Sequence, residues 1–179
     1  MTNNDRIYLD NAATTWPKPL AVYEAVDHYQ REIGGPNGRS GYREALEANS
    51  IVERARKGVA ELIGADDPLE IVFGFSGTDV LNLAIQGVVR PGDHVVTTVS
   101  DHNSVLRPQR ALAEQANEKD SYEPCEGAGL ISPEDVQAAL RPDTRLVAVV
   151  HASNVTGAVQ PIEPIGQIVR EHGALFLVD

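Results

Sequence analysis

The chain has 179 residues, 42% hydrophobic and 23% charged, with 15 Lys+Arg against 26 Asp+Glu and a formal charge of −11. That composition excludes a disordered chain, and at roughly 100 to 200 residues per domain the length suits one domain with its own core. The acidic balance, with a pI of about 4.8, disfavours nucleic acid and anionic membranes, whose phosphates are met by clustered Lys and Arg.

Read in chain order, the start MTNNDRIYLDNAATT has neither the basic flank nor the apolar run of a signal peptide. Residues 17–32 open with Pro17, a good first-turn residue, and set Leu20, Val22, Tyr23, Val26 and Tyr29 near one helical face. A second helix is predicted over 41–63, with Ala45, Leu46, Ala48, Val52, Ala55, Val59, Ala60 and Ile63 at helical spacing and Gly64 closing it. LEIVFG (69–74) reads as a strand, followed by a helix over 77–89 that stops at Arg90-Pro91-Gly92-Asp93. HVVTTV (94–99), RLVAVV (145–150) and ALFLV (174–178) are three more short apolar runs. Helices are predicted over 105–117, 133–140 and 162–172, the second with Ser132 as cap and Asp135 three residues on. Runs apolar on successive positions suit strands covered on both faces. Alternation of such strands with helices implies an α/β fold, a mostly parallel sheet flanked by helices.

In such sheets ligands gather at the carboxyl ends of the strands. Ser76-Gly77-Thr78 after 69–74 opens a helix, where free N–H groups, the helix dipole and the Thr78 hydroxyl could meet an anion. No Walker loop and no GxGxxG is present. After 94–99, His102 could stack on a planar ligand or shuttle protons, the alternative being a hydrogen-bonded loop residue. After 145–150, Asn154 offers an amide and Gly157 permits a tight turn; a turn-forming Asn is equally consistent. His151 reads as structural. After 174–178 comes Asp179, a carboxylate that needs a cation or donors unless it is solvated. No second His or Cys stands at metal-ligand spacing, so no metal site is expected, and a single cysteine points to a reducing, cytoplasmic compartment. A phosphorylated pyridinium cofactor would need what these four strand ends offer: an anion cup, a flat ring, a donor and a carboxylate.

The blocks IYLDNAATTWPKP, GRSGYREALEANSIVERARKGVAELIGA, SGTDVLNLAIQG, SDHNSVLRPQRAL, HASNVTGAVQPI and ALFLVD resemble the class V aminotransferase-like family, in its cysteine desulfurase branch, over nearly the whole chain. The resemblance implies part of the large domain of a pyridoxal phosphate enzyme of fold type I. It implies that Gly77 and Thr78, with Ser76 beside them, cup the phosphate and that His102 stacks on the pyridine ring. Asn154 would contact the phenolic oxygen and Asp179 pair with the ring nitrogen. Asn11-Ala12-Ala13-Thr14 and Gly38-Arg39-Ser40-Gly41 would line the active-site mouth. Residues 1–16 are expected as a segment at that mouth and 17–179 as an incomplete cofactor-binding domain.

The family's Schiff-base lysine, its substrate-carboxylate arginine and the desulfurase cysteine are expected beyond the Asp179 position, so no catalytic residue is assigned here. Lys18, Lys57 and Lys119 are the only lysines, and none stands in a matching block. Cys125 precedes the Asn154 block, and its flanking carboxylates would raise its thiol pKa, against a nucleophile. The resemblance implies a parental enzyme converting L-cysteine to alanine and an enzyme persulfide, as a homodimer with an amino-acid substrate and a sulfur-accepting partner protein. The present chain would be an N-terminal portion without turnover alone. A class V aminotransferase or selenocysteine lyase, and a non-catalytic chain that binds pyridoxal phosphate or a partner, remain as alternatives.

Overall fold

A computed structural model describes residues 7–38, 40–116, 121–123 and 129–179. Arg39, Lys119 and Cys125 lie outside the described residues. The chain divides into two compact units, Met1–Phe73 and Gly74–Asp179.

In the first unit, helix α1 (Leu20–His28) runs into a π-helical turn (Tyr29–Ile33), and α2 spans Arg43–Ile63. Helix α1 begins three residues after Pro17 because Lys18 precedes a second proline, which biases it out of helical geometry. Pro19 is itself extended at the cap, with φ −53° and ψ 142°. The predicted apolar face of α1 stays exposed at Leu20, Val22, Tyr23 and Val26. Helix α2 instead buries the small residues Ala45, Ala48 and Ala60, and Gly64 caps it at φ 71°. The chain passes close to α2 at Gly35, where a Cβ would stand 2.6 Å from the Glu44 carbonyl carbon and 2.9 Å from the Ala45 nitrogen.

The strand expected at 69–74 does not form. Pro68–Glu70 is a 3-10 turn, and the Asp67 carboxylate accepts the Leu69 N–H at 2.8 Å. An Asp-Pro start nucleates a turn despite the β-branched residues that follow. Ile71 is extended, yet among the described residues 71–74 pair with no strand.

The second unit holds a four-stranded parallel sheet: β1 (His94–Thr98), β2 (Ser121–Glu123), β3 (Thr144–Val149) and β4 (Leu175–Val178), in the order β2-β1-β3-β4. Helices α3 (Gly77–Val88), α4 (Asn103–Ala116), α5 (Pro133–Ala139) and α6 (Ile162–His172) accompany it. Successive residues of β3 point to opposite faces. Leu146 and Ala148 join Leu81, Ile85, Val89 and Val105 in one core cluster, while Val147 and Val149 join Val96, Val136, Ile165 and Val169 in the other. This two-sided burial explains the uninterrupted apolar run of the sequence. Strand β4 is less covered, with Leu175 and Val178 exposed.

Two details depart from the sequence reading. Strand β2 was not expected: three residues with no apolar run carry no strand signal, and the backbone ladder to β1 (Val96 with Ser121, Thr98 with Glu123) defines it. The Ser132 cap closes with Glu134 rather than Asp135. Its Oγ accepts the Glu134 N–H at 3.1 Å and donates to the Glu134 carboxylate at 2.5 Å.

The strand order locates the ligand side. From β1 the chain crosses to β2 on one flank, then re-enters the sheet as β3 on the other. The carboxyl ends of β1 and β3 therefore flank the switch point, where open α/β sheets leave a crevice. Gly35→Ala should lower stability by about 1–3 kcal/mol, since the clashing atoms are backbone. A urea unfolding midpoint unchanged from the parent chain would contradict this close approach.

Candidate functional site

A cleft of about 360 Å³ opens at this switch point. One wall is Val99–Asn103 with Leu106, following β1, and the other is Ser153–Thr156, following β3. His102 and Asn154 thus face a common space, each from the loop after its own strand.

Asp101, which the sequence reading passed over, joins the two walls. Its Oδ2 accepts the Thr97 hydroxyl and the Thr98 N–H, both at 2.7 Å, and its Oδ1 accepts the Val150 N–H at 2.5 Å. Thr98 ends β1 and Val150 follows β3, so one carboxylate spans the point where the ladder stops. Burial pushes the Asp101 carboxyl above the ordinary aspartate range, and the hydrogen bonds from Thr98, Thr97 and Val150 pull part of the way back.

His102 is the residue before α4, and its carbonyl accepts from the Val105 and Leu106 amides at 2.9 and 3.1 Å. Its Nδ1 receives the Ser104 N–H at 3.2 Å and lies 2.7 Å from Ser104 Oγ. The imidazole therefore does the work of a capping side chain, which is why α4 starts at Asn103 rather than at 105. Ser104 Oγ in turn lies 2.8 Å from Thr78 Oγ1, in the first turn of α3. Ser76 caps α3 by accepting the Asp79 N–H at 3.2 Å. Helix geometry leaves the Gly77 and Thr78 amides without intrahelical acceptors, and a Cβ placed on Gly77 would meet nothing within 4 Å.

The turn after β3 is built by Ser153. Its Oγ accepts the Val155 and Thr156 amides at 3.2 Å each, and its carbonyl accepts from Gly157 at 2.9 Å. Gly157 has φ 74°, a left-handed conformation that disfavours other residues. The turn-forming function considered for Asn154 belongs to its neighbour, and the exposed Asn154 amide has no hydrogen-bond partner among the described residues. Asp179 extends the β4 ladder: its N–H donates to the Val149 carbonyl at 3.1 Å and its carbonyl accepts from His151 at 2.8 Å. Its side chain is exposed and does not line the cleft. The structure thus brings His102 and Asn154 together, links Thr78 to His102 through Ser104, and leaves Asp179 at the adjacent strand end. Asp101, Ser104 and Ser153 escaped the sequence reading. The available signal was a polar residue beside each candidate at a strand end.

Among the described residues no group of three or more His, Cys, Asp and Glu could hold a metal, and no helix is long and apolar enough to cross a membrane.

An α/β unit with a ligand cleft at the switch point of a parallel sheet defines a broad class of ligand-binding and catalytic domains. Comparison with known proteins narrows it. The family model for aminotransferase class-V matches residues 7–179. Cysteine desulfurase IscS of Anaeromyxobacter sp. (strain K) is 41% identical over 177 residues, which cover 97% of this chain and 43% of that protein. Among solved structures, SspA in complex with cysteine superposes with a TM-score of 0.87 at 34% identity, covering 96% of this chain and 50% of that one. The apo cysteine desulfurase from Thermococcus onnurineus NA1 does so at 0.85 and 35% identity, covering 97% and 43%. The chain belongs to the class V aminotransferase family, and it spans 43% of the length of the Anaeromyxobacter relative. Its fold is part of the fold-type-I architecture, and the family depends on pyridoxal phosphate. The donor set suits that group: open space over the first turn of α3, an uncommitted amide at Asn154 and an exposed imidazole at His102.

Asp101→Asn should destabilise the chain by about 1–3 kcal/mol, because an amide NH₂ must then face an N–H or O–H donor. The folded-state pKa of Asp101 is raised, so the parent chain loses stability as pH rises from the ordinary aspartate range through the folded value. The penalty of Asp101→Asn is therefore greatest at acid pH and shrinks toward neutrality; urea titrations at several pH values that show it growing would contradict the assignment. Ser153→Ala should cost about 0.5–2 kcal/mol, as for loss of a capping hydroxyl. Asn154→Ala should stay within about 0.5 kcal/mol of the parent. Thermal unfolding of the two variants checks the contrast.

Proposed function

We propose that this chain carries the greater part of the cofactor cradle of a pyridoxal phosphate-dependent cysteine desulfurase. The observation that carries the reading is the meeting of His102 and Asn154 across one cleft, with Thr78 tied to His102 through Ser104. Bound pyridoxal phosphate supplies an electron sink for chemistry at the substrate Cα. The chain's own residues bind and orient it. The first-turn amides Gly77 and Thr78 meet the phosphate, and His102 offers its ring face to the pyridine. Asn154 donates its amide to the phenolic oxygen. Asp179 holds a proton on the ring nitrogen. Contacts within this chain are non-covalent: none of Lys18, Lys57 and Lys119 stands in a block like that of the family lysine.

In the whole protein the substrate is L-cysteine, a reading supported by the neighbour solved in complex with cysteine and by the desulfurase relatives. The products are alanine and a persulfide on an enzyme cysteine. A homodimer in the cytoplasm, handing sulfur to an acceptor protein, completes the proposal.

Titration of the 179-residue chain with pyridoxal phosphate, followed by absorbance, tests the cradle. His102→Ala and Asn154→Ala should each raise Kd about three- to tenfold, the equivalent of roughly 0.5–1.5 kcal/mol for a stacking or hydrogen-bonding partner. Saturable binding that neither substitution weakens would place the cofactor elsewhere.

A further inference from the structure

The three-residue chain Thr78–Ser104–His102 has a direction that the heavy-atom geometry fixes. The Ser104 amide can only donate, and it points at His102 Nδ1 at 3.2 Å. That nitrogen must therefore present its lone pair, and in the neutral ring the hydrogen resides on Nε2. Ser104 Oγ stands 2.7 Å from the same Nδ1, so its hydroxyl is the donor of that contact. With its one hydrogen committed to His102, Ser104 Oγ is the acceptor in the 2.8 Å contact with Thr78 Oγ1, and Thr78 donates. The hydroxyl hydrogens run one way, from Thr78 to Ser104 to His102. Ser104 is buried, with 6% of its surface exposed, between the exposed side chains of Thr78 and His102.

We propose that Ser104 is a positioning residue that fixes His102 as the neutral Nε2–H tautomer and sets its ring orientation while drawing the Thr78 hydroxyl hydrogen inward. Ser104 touches no ligand in this arrangement and acts through its two neighbours. Resting on the proposed cofactor site, two consequences follow. An anion at the first turn of α3 is met by the backbone amides there. The Nε2–H of His102 is the ring's free donor.

The tautomer can be read without any cofactor, so its failure is separate from failure of the proposed function. Long-range ¹H–¹⁵N correlation spectra of the ¹⁵N-labelled chain near pH 8.5, about two units above the ordinary histidine value of about 6.5, report both ring nitrogens. His102→Gln identifies the His102 signals among the five histidines. In the parent chain Nε2 should carry the proton and Nδ1 should resonate as a hydrogen-bonded acceptor. Ser104→Ala should shift Nδ1 toward the value of a free acceptor nitrogen, and Ser104→Thr, which keeps the hydroxyl, should restore it. A parent His102 protonated at Nδ1, or a Ser104→Ala spectrum with Nδ1 unmoved, overturns the proposal.

Discussion

Two parallel strands that leave a sheet in opposite directions must part company, and the backbone groups at their ends then lose their ladder partners. In this chain one carboxylate resolves that problem. Asp101 receives an amide from the end of β1, an amide just past β3 and a β1 hydroxyl. Burying a carboxyl is unfavourable, and the upward push on its pKa is the signature of that cost. Three directed donors offset it, and leaving any of them unmet would cost about 1–3 kcal/mol. Everything in the cleft is indexed from this group. His102 is the next residue, and the Ser153 turn begins three residues after Val150.

Around that anchor, order is propagated by short polar links rather than by apolar packing. The two core clusters hold the sheet between helices and reach the end of β3 at Val149. Beyond them, the His102 ring caps α4, Ser104 ties that ring to α3, and Ser153 closes the opposite turn. Each contact contributes only about 0.5–1.5 kcal/mol. Together they specify rotamers at a surface cleft where side chains would otherwise be free.

The same division explains what could be seen in the sequence. The helices were legible from their apolar periodicity and β1 and β3 from uninterrupted apolar runs that report burial on both faces, whereas β4 carries such a run with Leu175 and Val178 exposed. The 69–74 run misled because its residues have the propensity of a strand but no partner among the described residues, while β2 is the reverse, pairing without propensity. His102, Asn154 and Asp179 were legible as polar residues following apolar runs. The supporting residues were not, because Asp101, Ser104 and Ser153 are small polar side chains of the kind that fills any loop. Only their aim distinguishes them, and aim depends on contacts such as Thr78 to Ser104, 26 positions apart.

The turn after β3 separates shape from chemistry. Ser153 and Gly157 set the backbone path, and the side chain at 154 contributes nothing to holding it. A position of that kind can be refitted with a different functional group while the loop keeps its form. Substitutions there would change the group presented to the cleft without first having to survive a loss of folding.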